Sequence, residues 1–411
     1  QLAETYDSEI RFRPLGKTAA WIVSLLLVAL SLFHYYTAGF GLLREATHRG
    51  VHLAFVLSLI FLVFGFSKSH YQREPKSTWY APGGVPLYDW IIAIALALSV
   101  LYIPYIFEDL AFRVGNPLPI DVLMGSILLI GLLEATRRAM GWPLPIIALV
   151  FMAYAAFGPY FPGLLQHAGN TWSQIVNHMY LTSQGVYGVA VGVVATYVFH
   201  FVLFGVLATR IGLGQLFLDT ASTIAGRYAG GPAKVSVFGS AMFGMLSGSS
   251  VANAVTVGSL TIPAMIRVGY KREFAGAVEA ASSTGGQITP PVLGAAAFLM
   301  IEFLGIPYQQ IAIAGIFPAF LYFFGMFMQV HFEAKREGLR GLTTEEMPKL
   351  KQSFKMRWPT LIPLILLIGV LSVGMTLTGV DLQSALFGVW ASLGNIGYGF
   401  GPLVARTGTF I

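Results

Sequence analysis

The stretch Gly244-Met-Leu-Ser-Gly-Ser-Ser-Val-Ala-Asn-Ala-Val-Thr-Val-Gly-Ser259 decides how the rest of the chain is to be read. Eleven of its 16 residues are Gly, Ala, Ser, Thr or Asn, yet it sits inside an apolar run, 235–265. A helix of that composition presents no strong apolar stripe to lipid. Two short half-helices with an enclosed tip fit it better, because irregular backbone at membrane depth is tolerated where protein surrounds it. Opening the helix frees carbonyl oxygens, and Ser247, Ser249, Ser250 and Asn253 add side-chain oxygens beside them. Hard oxygen ligands in a desolvated pocket suit Na⁺. The half-helix N-terminus near Ser249 and Ser250 offers a positive dipole end to an anion. Plain helix packing competes with this reading, since small residues let helices approach closely. Composition alone does not separate the two.

Charge does. Hydropathy places spans near 18–40, 51–67, 88–107, 120–136, 143–160, 186–209, 275–304, 310–332 and 359–377. With the N-terminus cytoplasmic, 21 of the 25 Lys and Arg residues fall on inner segments. Among them are Arg13, Lys17, Arg137, Arg138, Arg227, Lys234, Arg267, Lys271, Arg272 and the cluster after residue 332. The outer loops hold Arg44, Arg49 and Arg113, and the loop 161–185 holds no basic residue. This asymmetry obeys the positive-inside rule. It survives only if 235–265 enters and leaves on one face, because a single crossing would invert every later loop. The charge pattern therefore favours a re-entrant hairpin.

A second interruption follows in Ala280-Ala-Ser-Ser-Thr-Gly-Gly-Gln-Ile-Thr-Pro-Pro291. Gly285 and Gly286 relax the helix, and each proline lacks an N–H and clashes with the preceding turn. A discontinuous helix beside a re-entrant hairpin is the usual pointer to a midplane binding site in secondary transporters; a simple proline kink is the alternative.

Composition sets the wider bounds. The 411 residues are 55% hydrophobic and 11% charged, with a mean hydropathy of +0.69. Soluble domains carry about 25% charged residues, so the class is an all-α polytopic membrane protein. The +6 net charge is a topology signal and implies no nucleic-acid partner. No cysteine is present, which excludes disulfides and thiolate metal sites, and the eight histidines form no HExxH pair. Glu279, inside a span, is a functional candidate by default, with pairing to a nearby Lys or Arg the expected arrangement. Glu134 is expected in a surface ion pair with Arg137 and Arg138, Asp219 at an interface, and His200 as a packed, hydrogen-bonded residue. Short amphipathic helices are expected at 171–182 and 212–226.

At two adjoining runs the sequence resembles a known family. Gly258-Ser-Leu-Thr-Ile-Pro-Ala-Met-Ile-Arg-Val-Gly-Tyr270 and the broken helix from Glu279 through Pro290 and Pro291 to Met300 closely resemble the fused permease of TRAP transporters, TAXI class. Gly141-Trp-Pro-Leu-Pro-Ile-Ile-Ala-Leu-Val-Phe151 and Phe157-Gly-Pro-Tyr-Phe-Pro-Gly163 resemble the start of that family's large permease domain. The resemblance implies an elevator-type secondary transporter, not an enzyme, in a bacterial or archaeal inner membrane. It would import organic acids handed over by an extracytoplasmic TAXI-type solute-binding protein, driven by Na⁺ or, in some members, H⁺. No cofactor is implied beyond the coupling ion. The cation would fall to Ser247, Gly248, Ser249, Ser250, Asn253, Thr284, Gly285 and Gly286, and the substrate to Ser283, Gln287, Thr289 and Pro290.

The same resemblance divides the chain into a small permease-like domain of four spans at 1–138, half of a large domain at 139–378, and a divergent tail at 379–411. That family's large domain has a second, inverted half with its own hairpin. Here Gly379 is followed by a short apolar run and the Gly-rich Asn395–Ile411. The expectation is an incomplete inverted repeat of about nine spans plus a hairpin, truncated and without transport by itself. A membrane enzyme would need a nucleophile, metal or acid–base cluster at one depth, and a channel a repeated pore motif; neither appears. A non-transporting membrane scaffold stays open.

Overall fold

The computed structural model describes residues 12–358 except 42, 67–77, 79, 201, 204–211, 249, 291–292, 344, 349–352, 354 and 356–357. The expected span 359–377 and the tail 379–411 lie outside the described residues. Apart from a single bridge between Thr78 and Ala81, the described regular structure is helical. The chain forms two compact units that meet in sequence at Ala195 and Thr196.

In the first unit, α1 (Lys17–Phe40), α2 (Glu45–Val63), α3 (Leu87–Tyr105) and α4 (Pro119–Met140) are 24, 19, 19 and 22 residues long. At 1.5 Å per residue that is about 29–36 Å, the thickness of a hydrocarbon core. Trp21, Leu25, Val28 and Leu32 of α1 and Ile91, Ile94 and Leu98 of α3 stay exposed at helical spacing. Apolar stripes turned outward mark lipid as the solvent of these faces. α5 (Pro143–Ala156) is shorter than the expected span 143–160 and gives way to a 3₁₀ turn at Gly158–Tyr160. α6 (Trp172–Val176) starts on a Thr171–Gln174 capping box, in the stretch expected to be amphipathic, and its Val176 packs on Gly125. α7 (Val189–Val193) follows.

The expected ion pairs of Glu134 with Arg137 and Arg138 form, half-buried rather than on the surface, and Arg138 joins them to a buried network. Arg13 and Arg138 donate to the two oxygens of Asp89, each at 2.7 Å, and Asp89 is 0% exposed. Arg138 also donates to Glu134, which Arg137 grips with two nitrogens. The charges are buried because the chain before α1 folds against the end of α2, where Arg13 donates to the Phe64 carbonyl at 2.9 Å. Toward the other end of α1 and α2, His34 Nε2 and His52 Nδ1 lie 2.9 Å apart.

In the second unit, α8 (Leu213–Ala225) is the amphipathic helix expected at 212–226, with Leu216, Leu218, Ala221 and Ala225 buried. Asp219, expected at an interface, is buried on the same face and accepts from Gln215 at 3.2 Å. α9 (Gly231–Ser247) and α10 (Ser250–Val268) form the hairpin. Ala233 and Val237 of α9 share a core with Met265 of α10, so the chain returns to the end from which it set out. The arms are not the short half-helices expected. With 17 and 19 residues they extend about 26 and 29 Å at 1.5 Å per residue. Small residues reduce lipid affinity without breaking a helix, and Ala favours it. Gly248, left-handed at φ 57°, marks the tip.

The second interruption stands where the sequence places it. α11 (Arg272–Gly285) passes into a 3₁₀ turn at Gly286–Ile288, and α12 (Ala295–Leu304) resumes after a gap in which Leu293 has φ 53°. α13 (Tyr308–Arg336), 29 residues long, packs Val330 and Ala334 into the core shared with α9, α10 and α11.

Candidate functional site

Two polar centres lie in the second unit. The first is the seam where the hairpin meets the broken helix. A Cβ built on Gly244 would stand 2.3 Å from the Cα of Gly286, so backbone touches backbone where α9 crosses the end of α11. Asn253, in the first turns of α10 and 0% exposed, donates through Nδ2 to the Ser240 carbonyl at 2.8 Å. Its Oδ1 is buried without a hydrogen-bond partner among the described residues. An amide oxygen in that condition costs about 1–3 kcal/mol unless something satisfies it. A hard cation would, and the C-terminal turn of α9 adds carbonyls that have no intrahelical donor. The donor chemistry fits Na⁺.

Of the other expected cation positions, Gly248 closes α9 with its N–H on the Gly244 carbonyl at 3.0 Å. Ser250 opens α10 and its Oγ accepts from Gln287 Nε2 at 3.1 Å, which ties the broken helix to the hairpin tip. Gly285 and Gly286 are buried, Gly286 against Asn253 Nδ2 and Gly285 against Tyr322 and Phe323 of α13. Ser247 ends α9, and Ser249 lies outside the described residues. Thr284 is not brought to the seam: it is exposed, and its hydroxyl donates back to Ala280 O at 2.8 Å. Among the expected substrate positions, Gln287 is exposed beside Ser250, while Thr289 is buried and donates to Gly285 O at 2.8 Å. Pro290 packs near Gly315. Ser283 turns into the second centre.

That second centre is Glu279, 1% exposed in the middle of α11. The expectation of a Lys or Arg partner is corrected. Glu279 accepts from Ser236 at 2.8 Å and Ser240 at 3.1 Å on α9, Thr261 at 2.5 Å on α10, and Ser283 at 3.0 Å on its own helix. Each carboxyl oxygen receives two hydroxyls. Gly258 makes the room, since a Cβ there would meet the Glu279 Cγ at 2.8 Å. Sequence reasoning passed over Ser236, Ser240 and Thr261. The available signal was spacing: Ser236 and Ser240, like Glu279 and Ser283, stand four apart on one helix face.

Thr261 also lines an open pocket of about 450 Å³ bordered by α8, α9, α10, Leu342 and residues 345–348. Asp219, Arg267, Glu345 and Glu346 share its wall. Among the described residues no three His, Asp or Glu side chains converge as metal ligands.

A helical protein with lipid-facing spans, a polar hairpin and a broken helix is a polytopic membrane permease. Residues 127–392 match the family described as "Tripartite ATP-independent periplasmic transporter, DctM component", which is more than half of the chain. The chain belongs to this family of transporters. It is similar to the sialic acid TRAP transporter permease protein SiaT of Haemophilus influenzae, 31% identical over 176 residues, 42% of this chain and 28% of that protein. It is similar also to the isethionate TRAP transporter permease protein DctMQ of Oleidesulfovibrio alaskensis, 28% identical over 196 residues, 46% and 30% of the two chains. A third relative is the C4-dicarboxylate TRAP transporter large permease protein DctM of Pseudomonas aeruginosa, 26% identical over 197 residues, 47% and 45%. The chain thus spans less than half the length of these curated relatives.

Proposed function

We propose that this protein is the membrane permease component of an elevator-type, cation-coupled secondary transporter that imports organic acids delivered by an extracytoplasmic solute-binding protein. The observation that carries the reading is the buried, unpartnered Asn253 Oδ1 at the crossing of Gly244 and Gly286. A cation bound there would satisfy that oxygen. We take the coupling ion as Na⁺ and its ligands from Gly248, Ser250, Asn253, Gly285 and Gly286, with Gln287 and Thr289 on the substrate side. The binding protein is of the TAXI type, on the strength of the runs 258–270 and 279–300, and α1–α4 form the small-permease part of a fused chain. The names of the relatives point to anions: a sialic acid, a sulfonate and C4-dicarboxylates.

Coupling answers an energetic need. Bringing a dianion in against 100 mV, inside negative, costs about 4.6 kcal/mol at about 2.3 kcal/mol per charge, and two or three co-transported Na⁺ cancel or reverse it. The test is uptake of radiolabelled organic acids into proteoliposomes that hold the product of the full-length open reading frame, with the binding protein present and a Na⁺ gradient imposed. The expected result is uptake that requires both, and that falls at least tenfold in Asn253→Ala. Uptake driven by H⁺ alone would overturn the Na⁺ assignment, and no uptake of any acid would overturn the transport reading.

A further inference from the structure

Glu279 is the buried acid for which the seam at Asn253 has no use. The elements packed around it supply hydroxyls and bring no charge to it. On α9, Ser236 and Ser240 face it, while the Lys234 ammonium is turned to His331 Nδ1 at 2.9 Å and to the rings of Phe327 and Tyr228. On α10, Thr261 faces it, and Arg267 belongs to the pocket wall. On α13, the Tyr322 hydroxyl goes to Ala281 O at 2.8 Å. The ion pairs described in this unit join Arg336 to Glu333 and Glu337, and Arg340 to Glu346, and none includes Glu279.

Counting protons in the cage gives two complete arrangements. Thr261 Oγ1 lies within hydrogen-bond distance of two acceptors, the Val257 carbonyl at 3.0 Å and Glu279 Oε2 at 2.5 Å, but has one proton. With Glu279 ionised, all four hydroxyls donate to it. With Glu279 protonated on Oε2, its O–H donates to Thr261 Oγ1, and the Thr261 proton turns to Val257 O. Oε1 still accepts from Ser240 and Ser283, and Oε2 keeps a lone pair for Ser236. No hydroxyl loses its partner in either state, and the change between them is one rotation about the Thr261 side chain. Such a cage tolerates gain and loss of one proton without repacking, whereas a salt bridge would lock the ionised form.

The cage also has a route to it. Thr261 belongs at once to the cage and to the wall of the 450 Å³ pocket, a volume sufficient for a cluster of waters at about 30 Å³ each. A hydronium there hands its proton to Glu279 through the hydroxyl that changes its donor role, and leaves water behind. We propose that Glu279 is a reversible proton-binding site, set in a cage of four hydroxyls and reached from the α8–α10 pocket through Thr261.

The test reads the proton directly and needs neither substrate nor uptake, so it stands or falls apart from the transport reading. The full chain in lipid bilayers is stepped from alkaline to mildly acidic buffer under infrared difference spectroscopy. The expected result is a carboxylic-acid C=O band that rises on acidification, is lost in Glu279→Gln, and shifts to higher wavenumber in Thr261→Val, which removes the acceptor for the acid proton. Gln keeps the shape and most of the cage, and Thr261→Val leaves the carboxyl in place, so the frequency shift is readable even if Glu279→Gln folds poorly. A band that persists unchanged in Glu279→Gln, or that ignores Thr261→Val, overturns the proposal. So does the lack of any rising band over the range in which the protein stays folded.

Discussion

Asp89 shows what a single residue can hold and what a sequence conceals. Its two oxygens take Arg13 and Arg138, 76 and 49 residues away in the chain. No local pattern announces a partnership at that distance, and so Asp89 went unremarked and Arg13 counted only as one inner positive charge, while the neighbouring Glu134, Arg137 and Arg138 were legible as an i, i+3 and i, i+4 set. Removing one partner of a buried pair leaves uncompensated charge. Asp89→Ala is therefore expected to cost about 3–5 kcal/mol. Thermal unfolding in detergent checks the loss, and the cycle with Arg13→Met checks its origin. The double variant should cost clearly less than the sum of the singles, and additive losses would show that the three charges do not act together. Asn253 was read in the sequence as one of several side-chain oxygens beside the interruption, and the structure buries it at the crossing of α9 and α11. Glu279 was half legible. Its burial followed from the span, but its partners did not, because hydroxyls from three helices leave no signature in any one of them.

At the scale of elements, the interruptions were legible and the lengths were not. Gly-Gly followed by Pro-Pro stops a helix by local chemistry, and α11 ends there. The composition of 244–259 was read as two short pieces, yet among the described residues of that stretch only Gly248 lies outside the helices. Hydrogen bonding continues in the helices on both sides, and Gly244 and Gly258, lacking a Cβ, let Gly286 and Glu279 approach. The segment after α13 is held by a clasp that polarity alone does not reveal: Glu346 accepts from Arg340 at 2.9 Å and from the Thr343 N–H at 2.8 Å. The Arg340 guanidinium and that N–H lower the Glu346 carboxyl to about 2. Its folded value lies below the unfolded value of about 4.3. The clasp is thus at full strength above the unfolded value and weakens as pH falls toward 2. Amide exchange of residues 340–348, corrected for intrinsic rates, should keep constant protection from neutral pH to about 4.5 and lose it below. In Glu346→Gln protection should be low and flat with pH; a wild-type profile equally flat would show that the clasp does not order the loop. Glu345 and Glu346 line the pocket next to Thr261, so the clasp also sets how that pocket is walled.

For the whole molecule, the membrane class followed from composition because 11% charge in 411 residues cannot cover a soluble surface. The structure answers with apolar stripes on α1, α3 and α13 turned outward. Sidedness is the remaining large-scale property that sequence physics addresses, through the crowding of Lys and Arg onto one set of segments. The hairpin makes the argument sharp. Ala233 near the start of α9 and Met265 near the end of α10 share one core, so Arg227 and Lys271 must lie toward the same membrane face whatever that face is. The absence of cysteine from the sequence makes single-cysteine labelling unambiguous. Arg227→Cys, Lys271→Cys and Arg336→Cys are expected to react with a membrane-impermeant maleimide only from the cytoplasmic side, and Arg113→Cys only from the outside. Labelling of Arg227→Cys and Lys271→Cys from opposite sides would abolish the hairpin topology. Reaction of all three from the outside would keep the hairpin and reverse the orientation that the positive-inside asymmetry assigns. The two results separate what packing determines, a fold-back of the chain, from what charge determines, the face on which it begins.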